Sequence, residues 1–489
     1  MRIIIILIFI LVYSFYSWVV NHSTEPYWQP YDVGWYNILT DSLLQGKLHL
    51  LIEPRPELLT LIDPYDPIAN GPYRLHDISF YKGKYYLYFG VTPALCLYLP
   101  YRLIFGIPIS EKLSILIFSY GAFIWTALIL MLIRKKYFPN SQTWIFIFSL
   151  LVLGFSNLVP AYLRRPMMYE VAISSGFFFL SGAMFWFCKA FKKKTLTFND
   201  LFLGSLFLGL SIGCRQQFAL SIILPVFLAI YILKNSLIKK EQINKLFFNL
   251  FFPIAICLLF LGAYNYLRFE NPFHGGHQWQ LTGFHPKKTI FFSREFLIPG
   301  IYLNLFQPPT FDLTIPYIHM RANLPPSLTP AKLYVVEIVS GLFPTVPITL
   351  LILISPLLVL LFLRNKSNFN VRFPVVESFI ILIPALLNLS VLTVHIMVTL
   401  RYTVDFAPYL ILFSCILWFY LDSFFVNNLK LRKVVNILSL VLAIYSIVFG
   451  LAFGTEQFFE KMKTQDPIEY SKIDSYIKPI AKVLFRLKS

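Results

Sequence analysis

An all-α polytopic membrane protein is the fold class this sequence predicts, on three observations. The 489 residues are 57% hydrophobic and only 13% charged, which is about half the charge density of ordinary soluble domains. Long apolar stretches recur from end to end, with 50 Phe and a mean hydropathy of +0.66. Lysine and arginine cluster in alternate loops between those stretches. Together these features exclude a disordered chain and a secreted disulfide scaffold. Cys96, Cys188, Cys214, Cys257 and Cys415 lie in or beside apolar runs without a CxxC pair, so they read as small core residues. The chain carries no Walker loop and no GxGxxG after a strand, which argues against ATP or NAD chemistry.

The elements follow in order. Arg2 and apolar residues 3–20 outlast a signal-peptide core and are followed by no small-x-small cleavage site, so residues 1–20 read as an uncleaved first span. Further spans fall at 112–133, 143–162, 169–190, 246–267, 336–363, 374–398, 405–426 and 434–453, each near the length a bilayer needs. Residues 201–233 are too long for one helix and divide around Gly213, Cys214 and Arg215, which brings the total to about 11 transmembrane helices. The organisation is a first outer loop with surface helices at 21–111, transmembrane helices 2–7 at 112–267, and a second long outer loop at 268–335. Transmembrane helices 8–11 follow at 336–453, with an outer C-terminal tail at 454–489. Residues 86–106 are also apolar, but counting them as a span inverts every later loop. Pro93 and Pro100 suit a surface-lying or re-entrant segment there.

With the N-terminus in the cytoplasm, the short inner loops hold eighteen of the 42 Lys and Arg residues against Asp200, Glu241, Glu377 and Asp422. That is the bias that sets orientation in a cytoplasmic membrane. The other 24 cations face 20 acids on the outer side, so the net charge of +18 is mostly a topology signal and implies no nucleic-acid partner. The chemically rich side is therefore the outer one. The tail combines mixed charge with periodic Ile, Leu and Phe, which predicts a helix on the membrane surface. The second outer loop carries His274, His277, His285 and His319, and Gly275 and Gly276 break its HxxH as a helical zinc site. It reads as a lid or acceptor platform with a surface helix over 290–305.

Tyr31-Asp32-Val33-Gly34-Trp35-Tyr36 opens the first outer loop and leads into a short helical pattern over 36–44. Further on stand Asp77-Ile78-Ser79-Phe80-Tyr81-Lys82-Gly83-Lys84-Tyr85-Tyr86-Leu87-Tyr88-Phe89-Gly90, then Tyr264-Asn265-Tyr266-Leu267-Arg268-Phe269-Glu270-Asn271-Pro272-Phe273, then Arg401-Tyr402-Thr403-Val404-Asp405-Phe406-Ala407-Pro408. With a single span, a long outer loop holding an early acidic residue, surface helices and a many-span remainder, these phrases resemble the GT-C class of integral membrane glycosyltransferases. The nearest likeness is to bacterial relatives of protein O-mannosyltransferases and to the aminoarabinose transferases of lipid A. One departure is that Asp32 stands alone where a paired DxD would hold a metal. No metal ligand is assigned, and a divalent cation is the one cofactor left open.

The resemblance implies transfer of a sugar from a polyprenyl-phosphate donor to a lipid, glycan or protein acceptor, with inversion, on the outer face of a bacterial cytoplasmic membrane. Such chemistry needs a base for the acceptor hydroxyl and cations for the departing phosphate. Asp32 is the candidate catalytic base, with Trp35 and Tyr36 placed to stack on a sugar; the alternative is a helix cap. His76 and Asp77 would orient the acceptor or share a cation with Asp32, and the alternative for Asp77 is a local Asx-turn, the role that also suits Asp63 and Asp66. Arg215, between two short apolar helices, and Arg401, beside Tyr402, are the expected clamps on a lipid phosphate. Their alternatives are snorkelling to headgroups for Arg215 and an i,i+4 pair with Asp405 for Arg401. Arg164 and Arg165 either join the phosphate site or touch membrane lipids. The rival functions are a transporter or flippase, and a polymerase or ligase, of lipid-linked saccharides. The lack of an internal repeat and the placement of charges at span ends weigh against transport.

Overall fold

The computed structural model describes residues 2–23, 34–191, 196–356 and 372–485. Among these, nine helices are long and apolar enough to cross a membrane: Arg2–Asn21, Glu111–Tyr137, Thr143–Leu163, Met168–Ala190, Gln216–Lys234, Lys240–Phe269, Val375–Thr393, Ala407–Phe424 and Leu429–Gln465. Phe198–Ile212 adds a shorter apolar helix of about 22 Å at 1.5 Å per residue. Leu342–Thr345 and the 3-10 helix Pro347–Ile354 are two further short helical segments. The protein is thus an all-α polytopic membrane protein, with nine helices of spanning length among the described residues against the eleven or so expected. The split expected near residue 213 is present. The helix ends at Ile212, and the chain restarts as a 3-10 turn at Gln216–Ile222 with Arg215 in extended geometry between them.

Charged contacts sort the helix ends into two sets. At the basic end, Lys136 Nζ lies 2.7 Å from Glu377 Oε1, Lys189 Nζ lies 3.3 Å from Asp200, and Arg432 grips Asp422 through Nε at 2.7 Å and Nη2 at 2.9 Å. Glu377 and Asp422 are fully buried. A buried carboxylate without its cation would carry the full desolvation cost, so these pairs lock neighbouring helix ends together. Three of the four acids that the charge bias assigns to one side are therefore paired in space with cations assigned to that same side. The helix Ala407–Phe424 runs through the middle, with 89% of its apolar window buried, whereas Arg2–Asn21 and Lys240–Phe269 bury only 28% each and face outward.

The opposite end carries the long loops. Ile78–Tyr81 (β1) and Lys84–Tyr86 (β2) form a tight hairpin, whose turn residues Lys82 and Gly83 have φ of 48° and 72°. Positive φ at both central positions matches the twist of the strands it joins. Gln280–Leu281 (β3) adds antiparallel to β1 and ties the two long loops into one sheet. Thr310–Phe311 (β4) pairs with Ile318–His319 (β5), and Val335–Val336 (β6) pairs in parallel with Met397–Val398 (β7). The helix formed by Ala94–Tyr98 and Leu99–Phe105 is about 18 Å long and so too short to span. It exposes Leu103, Ile104 and Phe105, as suits a surface-lying segment.

The structure differs from the expected elements in three places. Residues 336–341, expected to open a span, are extended, and residues 394–398, expected to close one, turn back to pair with them. Short runs such as Val335-Val336 and Met397-Val398 are as apolar as a span end, and hydropathy does not separate a buried strand from a helix. The expected tail boundary at 454 falls inside the continuous helix Leu429–Gln465. Beyond it, Pro467–Phe485 packs Tyr470 and Ala481 against Ile315 and Tyr317 of the β4–β5 hairpin and exposes Ile468, Ile480 and Val483. Tyr317 Oη donates to Asp474 Oδ1 at 2.5 Å.

That hairpin is clasped by charge. His319 places Nδ1 at 2.7 Å from Glu456 Oε1 and Nε2 at 3.1 Å from Asp312 Oδ1, and Arg164 pairs with the other Glu456 oxygen. Burial alone would lower the His319 pKa, but the Glu456 carboxylate, the Thr314 carbonyl and Asp312 together raise it above the ordinary 6.5. A raised histidine contributes stability that is complete below 6.5 and fades as pH climbs through the folded-state value. Amide exchange in residues 310–319, corrected for intrinsic rate, is therefore expected to accelerate above neutral pH in the native protein. It should be pH-independent in His319→Gln; a flat native profile would disprove the clasp.

Candidate functional site

At the loop-rich end the helices enclose a cavity of about 1000 Å³. Its polar wall combines His76 and Asp77 at the head of β1, Arg165 and Tyr169 at the start of one span, Arg215 and Gln217 at the interrupted one, His277 and Gln280 from the second long loop, Glu337 after β6, and His395, Arg401 and Tyr402 after the helix Val375–Thr393. The lining also includes the apolar Ala219, Leu220, Phe291, Phe292, Val391, Leu392 and Val394. Leu220 and Phe292 are 43% and 57% exposed. A cavity lined by both charged and apolar side chains suits an amphiphile.

Two arginine–carboxylate pairs dominate the polar wall. Arg215 Nη2 lies 3.0 Å from Asp405 Oδ2 and 3.1 Å from Gln217 Oε1, and Gln217 Nε2 donates to the same Asp405 oxygen at 2.6 Å. Arg401 holds Glu337 through Nη1 at 2.9 Å and Nη2 at 3.3 Å, and Thr399 Oγ1 donates to Glu337 at 2.9 Å. The Tyr402 ring lies 5.0 Å from the Arg215 guanidinium and 5.6 Å from that of Arg401, which also faces Tyr169 at 5.0 Å. Such cation–π contacts fix the planes of both guanidinium groups. Asp405 is buried, and burial lifts its carboxyl to about 6 although Arg215 and Gln217 oppose the rise. The i,i+4 pairing of Arg401 with Asp405 does not form. The helix Leu400–Thr403 stops one residue before Val404, and Phe406 has φ −135°, so the two side chains never share a helical face.

Asp77 is in left-handed geometry, with φ 58°, and its N–H donates to Leu281 O at 2.8 Å. Its carboxylate accepts from Tyr169 Oη across the cavity, and His76 Nε2 stands 3.7 Å from it, which is not a local Asx-turn. Asp63 and Asp66 do accept from nearby backbone N–H groups, at 3.0 Å and 2.9 Å. Of the adjacent arginines only Arg165 lines the cavity; Arg164 is turned away, donating to Ala161 O and pairing with Glu456. Asp32 lies outside the described residues. The helix after it, Trp35–Leu44, is capped by Gly34. Trp35 and Tyr36 are buried and offer no face to a sugar; Tyr36 Oη instead donates to Gly90 O at 3.4 Å.

Glu337, Gln217 and His395 carried no sequence signal, and His277 entered only through the HxxH spacing. Burial drives His277 down to about 4, with His395 and Arg215 nearby adding to the fall, and burial likewise lowers His395. Both rings are therefore neutral at physiological pH, and His277 lines the cavity with the Tyr88 ring 4.8 Å away. Among the described residues no group of three or more His, Cys, Asp or Glu side chains is arranged to hold a metal ion.

The fold is that of the GT-C membrane glycosyltransferases. The protein O-mannosyltransferase Pmt1–Pmt2 complex of S. cerevisiae, solved bound to its sugar donor, aligns with a TM-score of 0.50 at 10% identity, over 94% of this chain and 92% of that one. The oligosaccharyltransferase of Archaeoglobus fulgidus in its apo form gives 0.49 at 10% identity, over 96% of this chain but 59% of its own length. ArnT of Cupriavidus metallidurans bound to undecaprenyl phosphate gives 0.42 at 9% identity, over 93% and 77%. A family model described as O-antigen polysaccharide polymerase Wzy matches residues 154–280. No curated protein matches the sequence.

Proposed function

We propose that the protein transfers a sugar from a polyprenyl-phosphate carrier to an acceptor hydroxyl on the outer face of a bacterial cytoplasmic membrane. The observation that carries this reading is the cavity itself, which Arg215 and Arg401 line together with apolar side chains at the ends of the spans. A lipid phosphate supplies an anion for the arginines and a chain for the apolar side chains, and it needs no nucleotide pocket. In the reaction the acceptor oxygen forms a bond to the anomeric carbon as the bond from that carbon to the phosphate oxygen breaks. The hydroxyl proton passes to a carboxylate, and the phosphate leaves with the bonding electrons. Asp32 is the proposed base. Arg215 and Arg401 receive the growing phosphate charge, His76 and Asp77 orient the acceptor, and Arg165 widens the basic wall. No step is assigned to a metal.

The match to a polymerase family model over residues 154–280 supports a second reading, in which the acceptor is itself a lipid-linked glycan. That region contains Arg165, Tyr169, Arg215 and His277 of the cavity. The purified protein in lipid, given undecaprenyl-phosphate sugar with a radiolabelled sugar, is the test for both. Label moved once per acceptor supports a monosaccharide transferase, and a ladder of products supports a polymerase. Lipid crossing the bilayer without transfer would support a flippase instead. Asp32→Asn is expected to lower the rate by about 10³-fold, the usual weight of a general base. Full activity in that variant would refute the base assignment.

A further inference from the structure

Given the transfer reading above, we propose that Asp405 and Glu337 are positioning residues that let the spent carrier go, each keeping one arginine of the phosphate site aligned and partly neutralised. The two guanidinium groups assigned to the phosphate each already hold a carboxylate, Asp405 beside Arg215 at 3.0 Å and Glu337 across Arg401 at 2.9 Å. The Asp405 side chain is wholly buried and water cannot replace it, whereas that of Glu337 is 34% exposed, toward the cavity it lines.

Two bare arginines would hold a phosphate monoester far more tightly than the diester it came from, because departure of the sugar adds a negative charge. Tight binding of the product lowers turnover and contributes nothing to the chemical step. A carboxylate paired with each guanidinium counters this in two ways. It repels the second negative charge at short range in a poorly screened site, and it competes for the same N–H donors. It also fixes the fork that presents the remaining donors to the phosphate, so alignment is kept while affinity is limited. Gln217, which bridges Arg215 and Asp405, makes the first pair a closed triangle. A purely structural ion pair would do the reverse: losing its carboxylate would disorder the arginine and weaken phosphate binding.

The direction of the change therefore decides. Undecaprenyl phosphate binding to the purified full chain in nanodiscs is measured alongside steady-state transfer, for the native protein, Asp405→Asn and Glu337→Gln. The expected result is affinity for undecaprenyl phosphate about tenfold tighter in each variant, with kcat and donor KM both lowered. Glu337→Gln guards against a folding defect in Asp405→Asn, because its carboxylate is the more exposed of the two. Unchanged or weaker binding in variants that melt like the native protein would overturn the proposal while leaving the donor reading intact. Failure of the native protein to bind undecaprenyl phosphate would overturn the donor reading itself.

Discussion

Arg215→Ala is expected to abolish sugar transfer, lowering kcat/KM by about 10³-fold, the range seen when a preorganised donor to developing charge is removed. Arg215 sits where one span is interrupted and the chain is extended, so its guanidinium enters the cavity from the wall. The same substitution leaves Asp405 buried without its cation, and breaking a buried pair from one side costs about 3–5 kcal/mol of stability. The two losses separate in the double variant Arg215→Ala/Asp405→Asn, whose melting should recover toward native while its activity stays absent. Arg215→Lys should keep the charge but recover little rate, because a single ammonium cannot grip Asp405, Gln217 and a phosphate together. Activity within tenfold of native in Arg215→Ala would remove Arg215 from the phosphate site.

Gly90→Ala should be the most damaging small substitution near the cavity. A methyl group there would lie 1.8 Å from Gly213 O and 2.5 Å from Gly213 C. Both are backbone atoms, so no rotamer change relieves the clash, and about 3 kcal/mol or more of overpacking follows. The contact has a function. Thr92 N–H donates to Gly213 O at 3.1 Å, which pins the turn that ends one helix and frees Arg215 two residues later. Gly90→Ala is expected to lower the thermal midpoint in lipid and to reduce transfer by displacing Arg215. Gly283→Ala, a position with nothing within 4 Å, is the matched control and should be neutral. Native melting and activity in Gly90→Ala would show that the approach of the two backbones is dispensable.

Much of the architecture was legible in the sequence because it is local. A run of about twenty apolar residues has to be a helix in a bilayer, since its own i,i+4 bonds are the only partners its backbone can find there. The interruption at Gly213-Cys214-Arg215 was visible for the same reason, as a charge in the middle of an apolar stretch. The strands β6 and β7 were not, because four apolar residues read alike as strand or as helix end. Arg215 and Arg401 could be picked out as costly charges, Asp77 beside His76 in the first outer loop and Arg165 as one of an arginine pair on a short outer loop, and all four line one cavity. Arg164 was equally conspicuous, yet it faces the clasp around His319.

The sequence by itself determined the all-α membrane-spanning class and the interruption before Arg215, both of which follow from hydrophobic length and the cost of a charge within it. Only the tertiary structure decided which charge meets which. Arg401 takes a carboxylate 64 positions away, and Asp405 binds a glutamine 188 positions away, in preference to the arginine four residues before it. The physical reason is that buried charges take the partner that completes their hydrogen bonds in the packed state. That partner is set by how the helix ends converge.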